Sequence, residues 1–132
     1  MTKRTNTEGL PPLTEAQLQI MNVVWDRGEC TVNEVLQGLN RGLARNTVLT
    51  LMTRLAEKGW LVSFKRGREF SYRASVDKAE TQRGLARRLV DAAFGGCTEG
   101  LVMALVEDGA LTDAELTAIR ETIERAQEET VK

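Results

Sequence analysis

Apolar residues recur along the chain with a helical period in six stretches and alternate in one. The first stretch opens Leu13-Thr14-Glu15-Ala16-Gln17-Leu18. Thr14 there is an N-cap, Gln17 completes a capping box, and Leu13 and Leu18 hold the two positions of a hydrophobic staple. Leu18, Met21 and Trp25 then share a face, and Gly28 supplies the left-handed residue that ends a helix cheaply. A second box, Thr31 with Glu34, starts a helix whose Val32, Val35, Leu36 and Leu39 follow the i, i+3, i+4, i+7 rule. After a loop over residues 40–45, Asn46 is a suitable N-cap for NTVLTLMTRLAEKGWL. At 100° per residue, Val48, Leu51, Met52 and Leu55 fall on one side of that third helix. Asn46, Thr50, Thr53, Arg54 and Glu57 fall on the other, with Thr47 and Leu49 on the flanks. Lys58-Gly59 closes it.

The period then changes. Residues 60–64 and 69–73 are rich in aromatic and β-branched side chains, and Lys65-Arg66-Gly67-Arg68 between them predicts a hairpin with a basic tip. Helical spacing returns afterwards. Asp77 and Glu80 can cap a helix running to Phe94 with Leu85, Leu89 and Ala93 on one face, and Gly95-Gly96 stops it. A short helix carries Leu101, Val102, Leu105 and Val106. Thr112 and Glu115 form a third box ahead of Leu116, Ile119 and Ile123. The expected fold is mainly α with a small β-hairpin wing: an N-terminal winged helix-turn-helix and a C-terminal three-helix dimerisation domain. The expected divisions are a flexible arm over residues 1–12, a winged-helix domain over 13–75 and a helical domain over 76–132.

Charge sharpens this division. The formal net charge of −1 argues against a polyanion as partner. Residues 1–76, however, carry 11 basic and 7 acidic side chains, a net +4, whereas residues 77–132 carry 7 and 12, a net −5. The second half is also short and amphipathic. A chain of about 55 residues buries only about 60% of its surface and is marginal alone. Its apolar positions Leu85, Leu89, Phe94, Leu101, Leu105, Leu116, Ile119 and Ile123 are therefore expected to face a second copy across a two-fold axis.

Other chemistry is thin. There is no histidine, and Cys30 and Cys97 are far apart with no CxxC spacing, which leaves no zinc ligand set and no triad needing a histidine base. Two free thiols are expected, with no metal and no cofactor. The paired carboxylates Glu107-Asp108 and Glu128-Glu129 sit at a helix end and in the tail, where such groups are solvated, and an enzyme is not expected. The longest strongly apolar run, residues 101–106, is too short to span a bilayer, and no apolar leader opens the chain. A cytoplasmic protein without membrane insertion is the expectation.

In a helix-turn-helix the early residues of the recognition helix face base edges in the major groove. Asparagine pairs with adenine, and a threonine methyl packs on the thymine methyl. Asn46, Thr47 and Thr50 are accordingly candidate base contacts, and Arg45, Thr53 and Arg54 candidate phosphate contacts. Arg66 and Arg68 at the wing would reach the backbone or an adjacent minor groove, with Lys65 adding to the local field. The alternatives are a solvated face, a winged helix that binds another protein, and a regulator that responds to a small ligand.

LTEAQLQIMNVVW, NTVLTLMTRLAEKGWL and KRGREFSYRA together resemble the penicillinase-repressor family, the BlaI/MecI type of bacterial repressors. The resemblance covers nearly the whole chain and is strongest from Leu13 to Tyr72. It implies an interlocked homodimer that blocks transcription at a palindromic double-stranded operator with half-sites resembling TACA/TGTA. By the same resemblance, DNA contacts fall on Asn46, Thr47, Thr50 and Arg54. In β-lactam-responsive members, repression is relieved by cleavage at an Asn–Phe bond in the C-terminal domain. The matching place is Ala104-Leu105, with a membrane sensor protease as the implied further partner. Leu49 departs from the polar or basic residue of those members. The paired CxC motifs of copper-responsive members have no counterpart in this chain.

Overall fold

The computed structural model describes residues 10–39 and 42–131. The elements follow in the order α1 (Glu15–Arg27), β1 (Glu29–Thr31), α2 (Val32–Gly38), α3 (Arg45–Glu57), β2 (Leu61–Arg66), β3 (Glu69–Ala74), α4 (Lys78–Ala93), α5 (Thr98–Glu107) and α6 (Asp113–Val131). This is the expected mainly helical chain with a hairpin wing, divided into two compact units between Leu85 and Ala86.

The local grammar is realised at the helix starts. In α1 the Gln17 N–H donates to Thr14 Oγ1 (3.2 Å) and the Thr14 N–H to Gln17 Oε1 (3.0 Å). The same reciprocal pair joins Thr31 to Glu34 and Thr112 to Glu115. Each satisfies amides that the first helical turn leaves without partners. At the other end of α3, Gly59 lies at φ +95°, the Trp60 N–H reaches Leu55 O and the Gly59 N–H reaches Ala56 O. That pair of bonds is a Schellman motif, which needs glycine at this position.

Three expectations change. Glu29–Thr31, given no strand from the sequence beyond Thr31 as a helix cap, is a strand. It pairs antiparallel with β3, Cys30 opposite Tyr72, and completes a sheet of order β1-β3-β2. Helix α3 starts at Arg45 with Ala44 as its N-cap, because the Val48 N–H already donates to Ala44 O (3.1 Å), so Asn46 lies inside the first turn. The buried face of α1 is Gln17, Ile20, Met21 and Val24, while Leu18 and Trp25 sit at its margin.

The core of the first unit lies between the three N-terminal helices and one face of the sheet. Ile20, Met21, Val24, Val35, Val48, Met52 and Leu55 are fully buried with Cys30 and Val76, and Leu61, Trp60, Tyr72 and Ala74 close over them. The expected arm joins this core at its end. Leu10 is buried, and Pro11 O accepts the Trp60 indole N–H (3.1 Å). Residues 1–9 of the arm lie outside the described residues. The fold also runs past residue 75. The Trp25 indole donates to Val76 O (3.2 Å), Asp77 caps α4 by accepting the Glu80 N–H (3.1 Å), and Thr81 is buried with its hydroxyl donating to Asp77 O.

In the second unit, Val90 is the single buried residue among those described, and α4 ends at Ala93, one residue short of Phe94. Among the described residues, no single helix is long and apolar enough to cross a membrane.

Candidate nucleic-acid interface

The packing of Val48, Met52 and Leu55 into the core fixes which face of α3 looks outward. Asn46, Thr47, Thr50, Thr53, Arg54 and Glu57 are all exposed on it, as is Arg45 at its start. No side chain caps the helix. The first-turn amides are therefore open at the positive end of the helix dipole, which favours an anion.

The threonines have a geometry that their identity alone does not give. The Thr50 hydroxyl donates to Asn46 O (2.9 Å) and the Thr53 hydroxyl to Leu49 O (2.8 Å). Back-bonding of this kind gives the threonine hydroxyl a partner within the helix. It also occupies the hydroxyl proton. What each threonine offers outward is a methyl group and the oxygen's lone pairs. A methyl suits thymine, whereas a phosphate oxygen would need the donor that is already used.

Arg45 is held from the neighbouring helix. Its Nε donates to Asn33 Oδ1 (2.9 Å), which leaves the two terminal amino groups of the guanidinium as its unused donors. Sequence reading did not single out Asn33, and no local pattern could have done so, since its partner lies twelve residues on.

The wing turn is narrower than the four residues expected. Arg66 pairs with Glu69 in register, and the turn is Gly67-Arg68 alone. Gly67 takes φ +64° and Arg68 does not, the pattern of a II′ hairpin turn. Of the wing cations, Arg66 folds back: its guanidinium meets Glu29 at 3.3 Å and lies over the Phe64 ring, which Arg73 also covers. Lys65 and Arg68 are exposed, and neither makes an ion pair among those of the described residues.

Between the wing and the start of α3 lies a cleft of about 270 Å³, lined in part by Asn33, Arg45, Leu49, Arg68, Glu69 and Phe70. Phe70, also missed in the sequence, is 56% exposed and Leu49 37%. By strand alternation Phe70 shares the core face with Tyr72, but it lies beyond the edge of the core, and only the position of α3 reveals that it is uncovered.

The expected dimerisation residues divide by exposure. Leu89, Leu105, Leu116, Ile119 and Ile123 are exposed, while Leu85, Phe94 and Leu101 are half-buried. Ala104 and Leu105, the expected cleavage region, are both exposed within α5. Cys30 and Cys97 are free thiols. Among the described residues, no group of three or more acidic, cysteine or histidine side chains is placed to hold a metal ion.

Comparison with known proteins identifies the lineage. The penicillinase repressor family model matches residues 13–125. The penicillinase repressor of Bacillus licheniformis is 25% identical over 117 residues, covering 87% of this chain and 91% of that protein. The methicillin resistance regulatory protein MecI of Mammaliicoccus sciuri is 23% identical over 115 residues, covering 86% and 94%. Among solved structures, the Bacillus licheniformis BlaI monomer in complex with the blaP half-operator is 32% identical over 54% of this chain and 89% of its own, with a TM-score of 0.48. With an exposed recognition helix beside a basic wing, and a family match over most of its length, the chain belongs to the penicillinase repressor family of DNA-binding transcriptional repressors.

Proposed function

We propose that the protein represses transcription as a homodimer on a palindromic operator whose half-sites resemble TACA/TGTA. The observation that carries this is the face of α3. Asn46, Thr47, Thr50, Thr53 and Arg54 are exposed on one surface that begins at an uncapped helix start beside Arg45. Asn46, Thr47 and the Thr50 methyl are the base readers in this account. Arg45 and Arg54 take phosphates, and Lys65 and Arg68 extend the contact along the wing. The Thr53 and Arg66 contacts expected from sequence are weaker members: the Thr53 hydroxyl proton is occupied and Arg66 is paired with Glu29.

The second unit supports the dimer. A helical unit with Val90 as the single buried residue among those described, and Leu105, Leu116, Ile119 and Ile123 exposed, cannot hold itself together by burial. A second copy of the same unit supplies the missing cover at no cost in new sequence. In this reading the first unit binds DNA and the second dimerises. Repressor and operator meet in the cytoplasm. A membrane sensor protease is the proposed source of relief, acting at Ala104-Leu105. That bond lies in helical backbone, so α5 must unwind locally before a protease can take it in extended form.

Gel shift and footprinting of the full chain on genomic fragments that it selects test the reading. Thr50→Ala and Arg54→Ala are expected to weaken the footprint while sedimentation still shows a dimer. Undiminished affinity in both variants would refute it.

A further inference from the structure

Leu49 and Phe70 are the two large apolar side chains left exposed in the first unit among the described residues, and both line one cleft. The same cleft has Arg45 on the α3 wall and Arg68 on the wing wall, against Glu69 as its single acid. An apolar floor between two guanidinium groups matches one chemistry well: a sugar, apolar on its ring face, joined to a phosphate. We infer that the cleft seats one nucleotide of the DNA backbone. Phe70 and Leu49 meet the deoxyribose, the guanidinium groups of Arg45 and Arg68 meet the phosphate, and Asn33 is a positioning residue for Arg45. The inference rests on the DNA-binding reading above and specifies where the backbone enters.

Asn33 has a definite part in this. An exposed arginine spends conformational freedom when it binds, and pinning Nε removes part of that cost beforehand. The Asn33 Oδ1 bond also chooses which edge of the guanidinium stays open. With Nε occupied, the edge formed by the two terminal amino groups is the one left for a bidentate phosphate contact. Arg66 turns to Glu29 and does not line the cleft, so Arg68 is the arginine the wing brings to it.

The test uses the full chain and fluorescence anisotropy with two duplexes of equal length, one carrying a TACA/TGTA palindrome and one scrambled. Asn33→Ala is expected to weaken binding to both, on the order of fivefold. In Arg45→Ala protein the same change is expected to do nothing further, since Asn33 acts through Arg45. Phe70→Ser is expected to weaken binding by about fivefold, and Phe70→Leu, which keeps an apolar face, to restore most of it. Arg68→Ala, which removes one phosphate contact from each protomer, should flatten the slope of log affinity against log salt on the palindrome by about two. Thermal melts establish that each variant folds.

Additive losses for Asn33→Ala and Arg45→Ala, or full affinity in Phe70→Ser, would overturn the inference. If Thr50→Ala and Arg54→Ala still weakened binding in that case, the DNA-binding reading would stand without the cleft. Wild-type protein that bound neither duplex would overturn both.

Discussion

The back-bonded Thr50 hydroxyl makes a prediction that separates two ways of reading DNA. Thr50→Val keeps the shape and the methyl group but loses the hydroxyl. Thr50→Ser keeps the hydroxyl but loses the methyl. Because the proton is given to Asn46 O within the helix, the methyl is the group left to contact a base, and Thr50→Ser is expected to be the more harmful change. Burying one methyl contributes about 0.8 kcal/mol, which is roughly fourfold in affinity at about 1.4 kcal/mol per tenfold. A dimer on a palindrome makes the contact twice, so the expected loss is about 1.6 kcal/mol, or roughly 14-fold. Thr50→Val forfeits only the helix-internal bond. At an exposed site with near-equal helix propensity that costs a few tenths of a kcal/mol of stability, roughly, and little affinity. Anisotropy titrations at one fixed salt concentration measure both variants. A loss of tenfold or more for Thr50→Val, with Thr50→Ser unchanged, would mean that the hydroxyl leaves its helix bond to donate to the DNA, and the argument from geometry would be wrong.

Ile119→Asp, which puts a charge on the exposed apolar row of α6, is expected to give a monomer by sedimentation and to abolish tight binding to the palindrome while a single half-site still binds weakly. Glu69→Gln removes the single acid in the cleft and is expected to raise DNA affinity roughly twofold to threefold at low salt, with the gain shrinking as salt rises. Met52→Ala empties a fully buried position and is expected to cost about 2–5 kcal/mol, read as a lower melting temperature of the first unit. Hydrogen bonds from the Thr31 backbone and hydroxyl, and from Thr112 likewise, hold the Glu34 and Glu115 carboxyls below their usual range. Their capping contribution is therefore present above the unfolded-state value and lost as pH falls through the lowered one. Glu34→Gln should flatten that part of a stability-versus-pH curve.

What the sequence made legible was what is decided within a few residues. The three capping boxes span i to i+3, and the Lys58-Gly59 stop and the place of the Gly67 turn, though not its two-residue width, need only their neighbours, so each could be read directly. The outward face of α3 followed from its helical period. What escaped was decided at long range. Strand β1 is three residues whose extended form is fixed by partners around Tyr72, some forty positions on. Asn46 is a favourable cap in isolation, but the helix starts one residue before it, where Arg45 meets Asn33. The wing's charge was visible and its distribution was not, because the acid that claims Arg66 lies on the other edge of the sheet. The apolar residues of the second unit were recognisable as a set, and their exposure in one chain is what turns that pattern into an argument for a partner.

The two thiols also form a matched pair of reporters. Cys97 is exposed, with its sulfur accepting the Gly100 N–H at the start of α5. Cys30 sits fully buried in β1, where burial first, and then the negative charge of Glu34, push its thiol above the ordinary value. A thiol reagent added to native protein should therefore modify one sulfur per chain at once and the second only when the sheet opens. The slow phase is then a clock for the opening of the DNA-binding unit, read in the intact chain without any label being engineered into it, and operator duplex should slow that clock in proportion to how tightly it is bound.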